Sequence, residues 1–195
     1  MASRVSALPS GVTIRPVQAA DFEQIAAIYR PYVLETAITF EIEPPSPAVM
    51  AQRWQACTAI GAPYLVAQGD GRILGYAAAR PYAEKAAYAW TLEDSIYVDR
   101  AVHGKGIGRE LLQSLLTAAE QAGFRQMLAL IAAGQADASV ALHTRAGFIK
   151  AGYFNSLGYK HGRWHDVIYM QRALGCGDGA PPPGPCSDEV GTGSS

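Results

Sequence analysis

The stretch "SIYVDRAVHGKGIGRELLQSLLTAAEQAG", Ser95 to Gly123, constrains the fold more than any other part of the chain. A strand-like run leads into Gly104, Gly106 and Gly108. A helix follows, with Ile107, Leu111, Leu112, Leu115 and Leu116 on one face and Gly123 at its C-terminal end. Past it, "QMLALIAA" reads as a buried strand. Strand, glycine turn, helix and strand form a crossover unit, so this part of the sheet is expected to be parallel or mixed.

The flanking segments extend that unit. "VTIRPV" (Val12–Val17) is a short strand. Asp21 opens a helix whose apolar face is Phe22, Ile25, Ile28, Tyr29 and Tyr32. "EIEPPSP" breaks the chain, and Ser46 is read as the N-cap of a second helix running through Trp54 to about Ile60. "YLVAQGDGRILGYAAARPY" predicts an antiparallel hairpin turning at Gly69, Asp70 and Gly71. "AYAWTLEDSIYVD" predicts one long strand. Asp137 caps a short helix ending at Gly147, and "FIKAGYF" and "RWHDVIYMQRAL" are two late strands. The order β, α, α, β, β, β, α, β, α, β, β describes a single α/β domain over residues 12–174, a mixed central sheet flanked by helices. Residues 1–11 are expected to fray. Residues 175–195, rich in Gly, Pro and Ser, are expected to be disordered, because they bury too little surface to offset their ordering entropy.

Composition narrows the class. A chain of 195 residues suffices for one domain with a real core. A net charge of −1 leaves no basic footprint for nucleic acid. No apolar run approaches the roughly 18 residues a membrane span needs, and "MASRVSALPSG" lacks the apolar stretch of a secretory signal. Cys57, Cys176 and Cys186 are scattered and odd in number, which fits a cytoplasmic protein. His161 and His165 have no cysteine at ligand spacing, so no metal is expected.

The loop His103–Arg109, "HGKGIGR", resembles several phosphate-binding patterns. A P-loop needs a Gly-Lys-Ser/Thr ending that is missing. A dinucleotide fingerprint starting at Gly104 would need glycine where Arg109 stands, and the next strand does not end in the acidic residue that binds ribose. A pyrophosphate cradle remains. Backbone N–H groups and the helix dipole draw the anion, Gly106 and Gly108 allow close approach, and Lys105 and Arg109 add charge. The competing reading is a glycine-rich corner that binds nothing.

Several segments carry a resemblance. His103, Gly106 and Gly108 fall on the acetyl-CoA signature of the GNAT N-acetyltransferase superfamily, with His103 where Gln or Arg is usual. "AYAWTLEDSIYV" (87–98), "KHGRWHDV" (160–167), "ETAITFE" (35–41) and "SVALHTRAGF" (139–148) resemble, in order, segments of phosphinothricin and methionine sulfoximine N-acetyltransferases. The resemblance implies a GNAT fold, acetyl-CoA as co-substrate and a homodimer. It also implies a small amino-acid-like acceptor: phosphinothricin, methionine sulfoximine or the sulfone. Alternatives are acetylation of a peptide or protein N-terminus or another small amine, and a non-catalytic acyl-CoA-binding module. The family's Asn shortly before Ser139 has no counterpart, since Gln135 and Ala136 occupy that region.

Glu93 lies mid-strand among apolar and aromatic residues and matches the family's catalytic Glu, the base that takes a proton from the acceptor ammonium. Its other reading is a solvent-facing strand residue. Asp94 is expected on the opposite face by strand alternation. By resemblance, His143 donates to the leaving sulfur or fixes the cofactor, its other reading being an ordinary packed residue; Tyr153 is a lesser donor candidate. The resemblance also assigns the cofactor to backbone groups of Ile96, Tyr97 and Val98, to residues 103–109 (His103, Gly104, Lys105, Gly106, Ile107, Gly108, Arg109) and to Ser139. The acceptor side comprises Phe40, Arg80, Lys85, Tyr88 and Tyr97, with Tyr82 nearby; Arg80 or Lys85 suits an acceptor carboxylate. Trp90 and Trp164 read as packing residues.

Overall fold

The computed structural model describes residues 8, 9, 11–135 and 137–182. The expectations for residues 1–7, 10 and 183–195, and for Ala136, lie outside the described residues. Eleven main elements follow in chain order: β1 (Thr13–Pro16), α1 (Phe22–Glu35), α2 (Pro47–Ala59), β2 (Tyr64–Gly69), β3 (Arg72–Pro81), β4 (Thr91–Val98), α3 (Ile107–Gln121), β5 (Gln126–Ala132), α4 (Asp137–Arg145), β6 (Ile149–Lys160) and β7 (Arg163–Ala173). The strands form one sheet in the order β1-β2-β3-β4-β5-β7-β6. The β4–β5 pair, joined by the α3 crossover, is parallel; the other neighbours are antiparallel. The mixed sheet and the element order are those expected from the sequence.

Local chemistry explains the boundaries. Ser46 Oγ accepts a hydrogen bond from the Val49 N–H at 3.3 Å, and Pro47 occupies the first helical position of α2. Asp70 (φ 50°) and Gly71 (φ 74°) are both left-handed and make the tight turn between β2 and β3. His161 (φ 50°) and Gly162 (φ 74°) repeat that geometry between β6 and β7, so His161 belongs to a turn.

Four features depart from expectation. β4 starts at Thr91, because the Tyr82 N–H to Thr91 carbonyl bond closes the β3–β4 ladder there. Residues before it form a short 3-10 turn, Ala86–Tyr88, so Tyr88 is off the strand and packs edge-on against Tyr82. β6 is far longer than "FIKAGYF"; it is an edge strand with an irregularity between Phe154 and Gly158. Trp164 is 62% exposed and packs against Tyr159, outside either core. Residues 175–180, expected to lack structure, form turns: the Gly177 N–H bonds to the Leu174 carbonyl and the Gly179 N–H to that of Cys176. The Arg125 guanidinium contacts Cys176 and the Pro181 carbonyl.

Apolar residues fill both faces of the sheet. On one, Leu111, Leu112 and Leu115 of α3 pack against Ala77, Ala79, Leu92 and Met127. On the other, Phe22, Ile25 and Tyr29 of α1 pack against Val66 and Tyr76. Alternation along β4 sends Leu92, Ile96 and Val98 to the α3 face and Tyr97 to the α1 face.

Candidate active site

The site begins where two strands part. β4 and β5 pair only from Thr91–Gln126 to Glu93–Leu128, whereas β5 continues beside β7 to Ala132. The Asp99 N–H bonds to the Leu74 carbonyl at 2.8 Å and the Tyr82 N–H to the Thr91 carbonyl at 3.1 Å. Odd-numbered residues of β4 therefore bond to β3, and even-numbered ones aim their backbone groups at β5. Past Glu93 that side opens. The N–H and C=O of Ile96 and the N–H of Val98 face the gap. The Val98 carbonyl is taken by the Tyr32 hydroxyl at 2.6 Å. A cleft of ≈ 1950 Å³ runs through this opening and meets both sheet faces.

At one end lies the N-terminus of α3. The helix leaves its first N–H groups, at Ile107 and Gly108, without intrahelical carbonyls, and the helix dipole makes that end attractive to anions. The two glycines do different work. Gly106 is the N-cap and is left-handed (φ 81°), so it permits the chain to enter the helix. Gly108 is helical and lines the cleft; a Cβ there would meet Val98 Cγ2 at 3.6 Å and Leu142 Cδ2 at 4.0 Å, ordinary contacts, while occupying cleft space. This bare, donor-lined surface fits a pyrophosphate. Ile107 buries its side chain and contributes backbone alone. Arg109 lines the cleft and pairs with Glu110, whereas Lys105 is exposed and outside the described lining. His103 turns toward the protein. The Tyr32 hydroxyl donates to Val98, so the His103 Nε2–H donates to the Tyr32 oxygen at 2.8 Å, tying the loop to the end of β4. The departure from Gln or Arg thus has a structural use.

On the α1 face, Glu93 is 8% exposed and its Oε1 accepts from Arg80 Nη2 at 2.6 Å. Strand register places these two residues opposite each other. The Arg80 side chain is 60% exposed, so a largely solvated cation covers a buried carboxylate. Tyr97 lies two turns of the pleat further along, edge-on to Tyr29 at 4.7 Å. Burial pushes the Tyr97 hydroxyl well up and the Tyr29 hydroxyl up from their ordinary range, so both stay protonated as hydrogen-bonding groups. Phe40 and Lys85 also line the cleft, but Tyr88 is outside its described lining.

His143 of α4 approaches β4 from the other face. Its Nδ1 lies 2.7 Å from the Ser139 carbonyl and 3.4 Å from Ser139 Oγ, and its Nε2 lies 3.2 Å from Asp94 Oδ1. Asp94 is buried at 7%, on the face opposite Glu93 as alternation requires, and its Oδ2 has no protein partner among the described residues. Tyr153 lies elsewhere: its hydroxyl donates to Asp166 Oδ2 at 2.6 Å on the exposed β6–β7 hairpin.

Sequence reasoning missed Asp94 as a partner of His143. The signal was present in a carboxylate that alternation sends into an apolar face, where it must find a cation. It also read Tyr29 and Tyr32 as core alone, although their hydroxyls bond to Thr39 and Val98. Among the described residues no group of three or more His, Cys, Asp or Glu side chains is arranged to hold a metal, and no helix is long and apolar enough to cross a membrane.

Residues 14–169 match the acetyltransferase (GNAT) domain family. The chain is 42% identical over 166 residues to a phosphinothricin N-acetyltransferase of Alcaligenes faecalis, covering 85% of this chain and 84% of that protein. It is 38% identical over 164 residues to an L-methionine sulfoximine/L-methionine sulfone acetyltransferase of Pseudomonas paraeruginosa, covering 83% and 94%. Among solved structures, a GNAT superfamily phosphinothricin acetyltransferase from Sinorhizobium meliloti in complex with AcCoA superposes with a TM-score of 0.85 at 42% identity, covering 89% of this chain and 94% of that one. A helix N-terminus bared by glycine, a parted pair of parallel strands and a buried glutamate beside the gap are thus joined in a chain that belongs to the GNAT acetyltransferase family.

Proposed function

We propose that the protein transfers the acetyl group of acetyl-CoA to the α-amino group of a small amino acid or analogue of the phosphinothricin, methionine sulfoximine or methionine sulfone type. The observation that carries this reading is the Arg80–Glu93 pair at the opening of the cleft: a cation and a carboxylate 2.6 Å apart. A free amino acid presents the complementary carboxylate and ammonium from one carbon. Arg80 receives the acceptor carboxylate, and Glu93 takes the ammonium proton.

Acetyl-CoA fits the other end. The N–H groups of Ile107 and Gly108 hold its pyrophosphate, and the free backbone groups of Ile96 and Val98 hold its amides. With Glu93 having removed a proton, the amine nitrogen attacks the thioester carbonyl carbon. The new C–N bond forms, the C–S bond breaks, and the second proton lost from nitrogen as the amide forms passes to the departing thiolate. Of the two N–H groups that face the gap, at Ile96 and Val98, one is left to steady the developing oxyanion while the other holds an amide. His143, at the buried side of the gap with its pKa raised by Asp94, favours the negative charge on the departing sulfur when it carries its second proton.

The same reading makes the enzyme a cytoplasmic homodimer. Free Cys57 and Cys176 suit a reducing compartment. The β6 edge exposes Phe154, Leu157 and Tyr159 beside Trp164, an apolar surface suited to a second copy.

The test is thiol release from acetyl-CoA with a panel of amino acids and analogues, for wild type and Glu93→Gln. The glutamine keeps the shape but accepts no proton. Turnover should fall about 10²–10⁴-fold while acetyl-CoA binding, measured by calorimetry, persists. Wild-type turnover in Glu93→Gln near neutral pH removes Glu93 from the base role. Absence of release with every amino-acid acceptor removes the acceptor class.

A further inference from the structure

The segment Lys160–Val167 has no part in the chemistry above, yet three of its side chains, Lys160, His161 and His165, converge on one place. Lys160 is only 3% exposed, and its Nζ donates to the Thr39 carbonyl at 2.7 Å. Its acceptor is a neutral carbonyl, so the ammonium is buried at a cost. Burial lowers its pKa, and the nearby charge of Glu41 works in the other direction. The residues around it grip the same loop. His161 Nε2 lies 3.3 Å from the Thr36 carbonyl. His165 Nε2 lies 3.1 Å from the Lys160 carbonyl, holding the backbone that carries the lysine, and its ring lies 6.1 Å from that of Phe40. At Gly158 a Cβ would sit 2.5 Å from the Phe40 ring, so glycine there makes room for the ring.

The loop is held from its other side as well. Thr39 Oγ1 and the Tyr29 hydroxyl share a 2.6 Å hydrogen bond, and the Tyr29 ring packs on Tyr97. The Thr39 side chain is thereby fixed to the α1 face of the sheet and its carbonyl to the β6–β7 hairpin. Phe40, the next residue, is left between hairpin and cleft.

We infer that Lys160 is a positioning residue for the acceptor: its ammonium pins the Thr39 carbonyl, seats Phe40 against Gly158 and His165, and so sets one wall of the acceptor end of the cleft. This rests on reading the loop of residues 35–41, with Phe40, as the acceptor side. Lys160 touches neither substrate; it acts through the loop.

Lys160→Met in the full chain keeps the aliphatic stem and removes the donor. Amide hydrogen exchange on the unliganded protein should accelerate across residues 38–42 and stay unchanged at the start of α3. The KM for methionine sulfone should rise about tenfold, the scale of one charge-assisted hydrogen bond, while acetyl-CoA affinity by calorimetry stays within about twofold. Unchanged exchange in the loop overturns the pin. Faster exchange with an unchanged acceptor KM overturns the acceptor-wall assignment. The exchange measurement needs no substrate, so it decides the pin even if the acceptor belongs to another class. Where Lys160→Met does not fold, wild-type protein labelled uniformly with ¹⁵N and ¹³C gives the answer. One ammonium should show slowed proton exchange and scalar coupling to the Thr39 carbonyl carbon. Fast exchange at all lysine ammonium groups overturns the inference.

Discussion

His143 Nε2 lies 3.2 Å from Asp94 Oδ1, and both side chains are 4% exposed. The other ring nitrogen, Nδ1, is 2.7 Å from the Ser139 carbonyl, which can only accept. Nδ1 therefore carries hydrogen. A second proton lies between Nε2 and Asp94 Oδ1 and joins the two side chains in a hydrogen-bonded pair. With both ring nitrogens so engaged, His143 offers no free lone pair to an acceptor ammonium; the proposed base, Glu93, lies on the opposite face of β4.

That pair has a pH signature. Burial works against the His143 cation, but the Asp94 hydrogen bond and charge, with the Ser139 carbonyl, outweigh it and raise the pKa above the ordinary 6.5. A raised folded-state value means stabilisation that is full below pH 6.5 and is lost as pH climbs through the folded-state value. Asp94→Asn removes the charge. The melting-temperature gap between wild type and variant should be widest below about pH 6.5 and narrow on the alkaline side. A gap independent of pH from about 5 to 9 would sink the ion-pair assignment.

The two glycines of the cradle should separate by experiment. Gly108→Val places side-chain atoms in the cleft from a helical position with room for its Cβ. Acetyl-CoA KM should rise about tenfold or more with a melting temperature close to wild type. Gly106→Ala forces an L-residue into φ 81° and costs about 1–2 kcal/mol, so stability and acetyl-CoA affinity fall together. Unchanged acetyl-CoA affinity in folded Gly108→Val would rule out the cradle.

Arg80 should read the acceptor carboxylate. Wild type should favour an amino-acid acceptor over its carboxamide by about 10-fold or more, the scale of a charge-assisted hydrogen bond. In Arg80→Met that ratio of kcat/KM should fall toward one. Comparing the ratio within each protein cancels the effect of unpairing Glu93. A preference retained in the variant assigns carboxylate recognition to another group, such as Lys85.

Much of this was readable in order along the chain. The face of α3, the Ser46 cap, the hairpin turn at Asp70 and Gly71, and the opposite facing of Glu93 and Asp94 all follow from periods of 3.6 and 2 and from local backbone preferences, which need no distant partner. So does the exposure of a helix N-terminus after a glycine turn. What the tertiary structure decided lies across the sheet. The strand alternation that buries Asp94 does not say that His143, 49 residues later, will meet it. The lysine of "KHGRWHDV" looks like a hairpin surface residue until β7 pairs beside β5 and carries it to Thr39, 121 residues earlier. The gap itself depends on where β4 and β5 stop pairing, which is set by how their flanking strands and helices pack. Local pattern fixes which way a side chain faces; what it faces is a property of long-range packing.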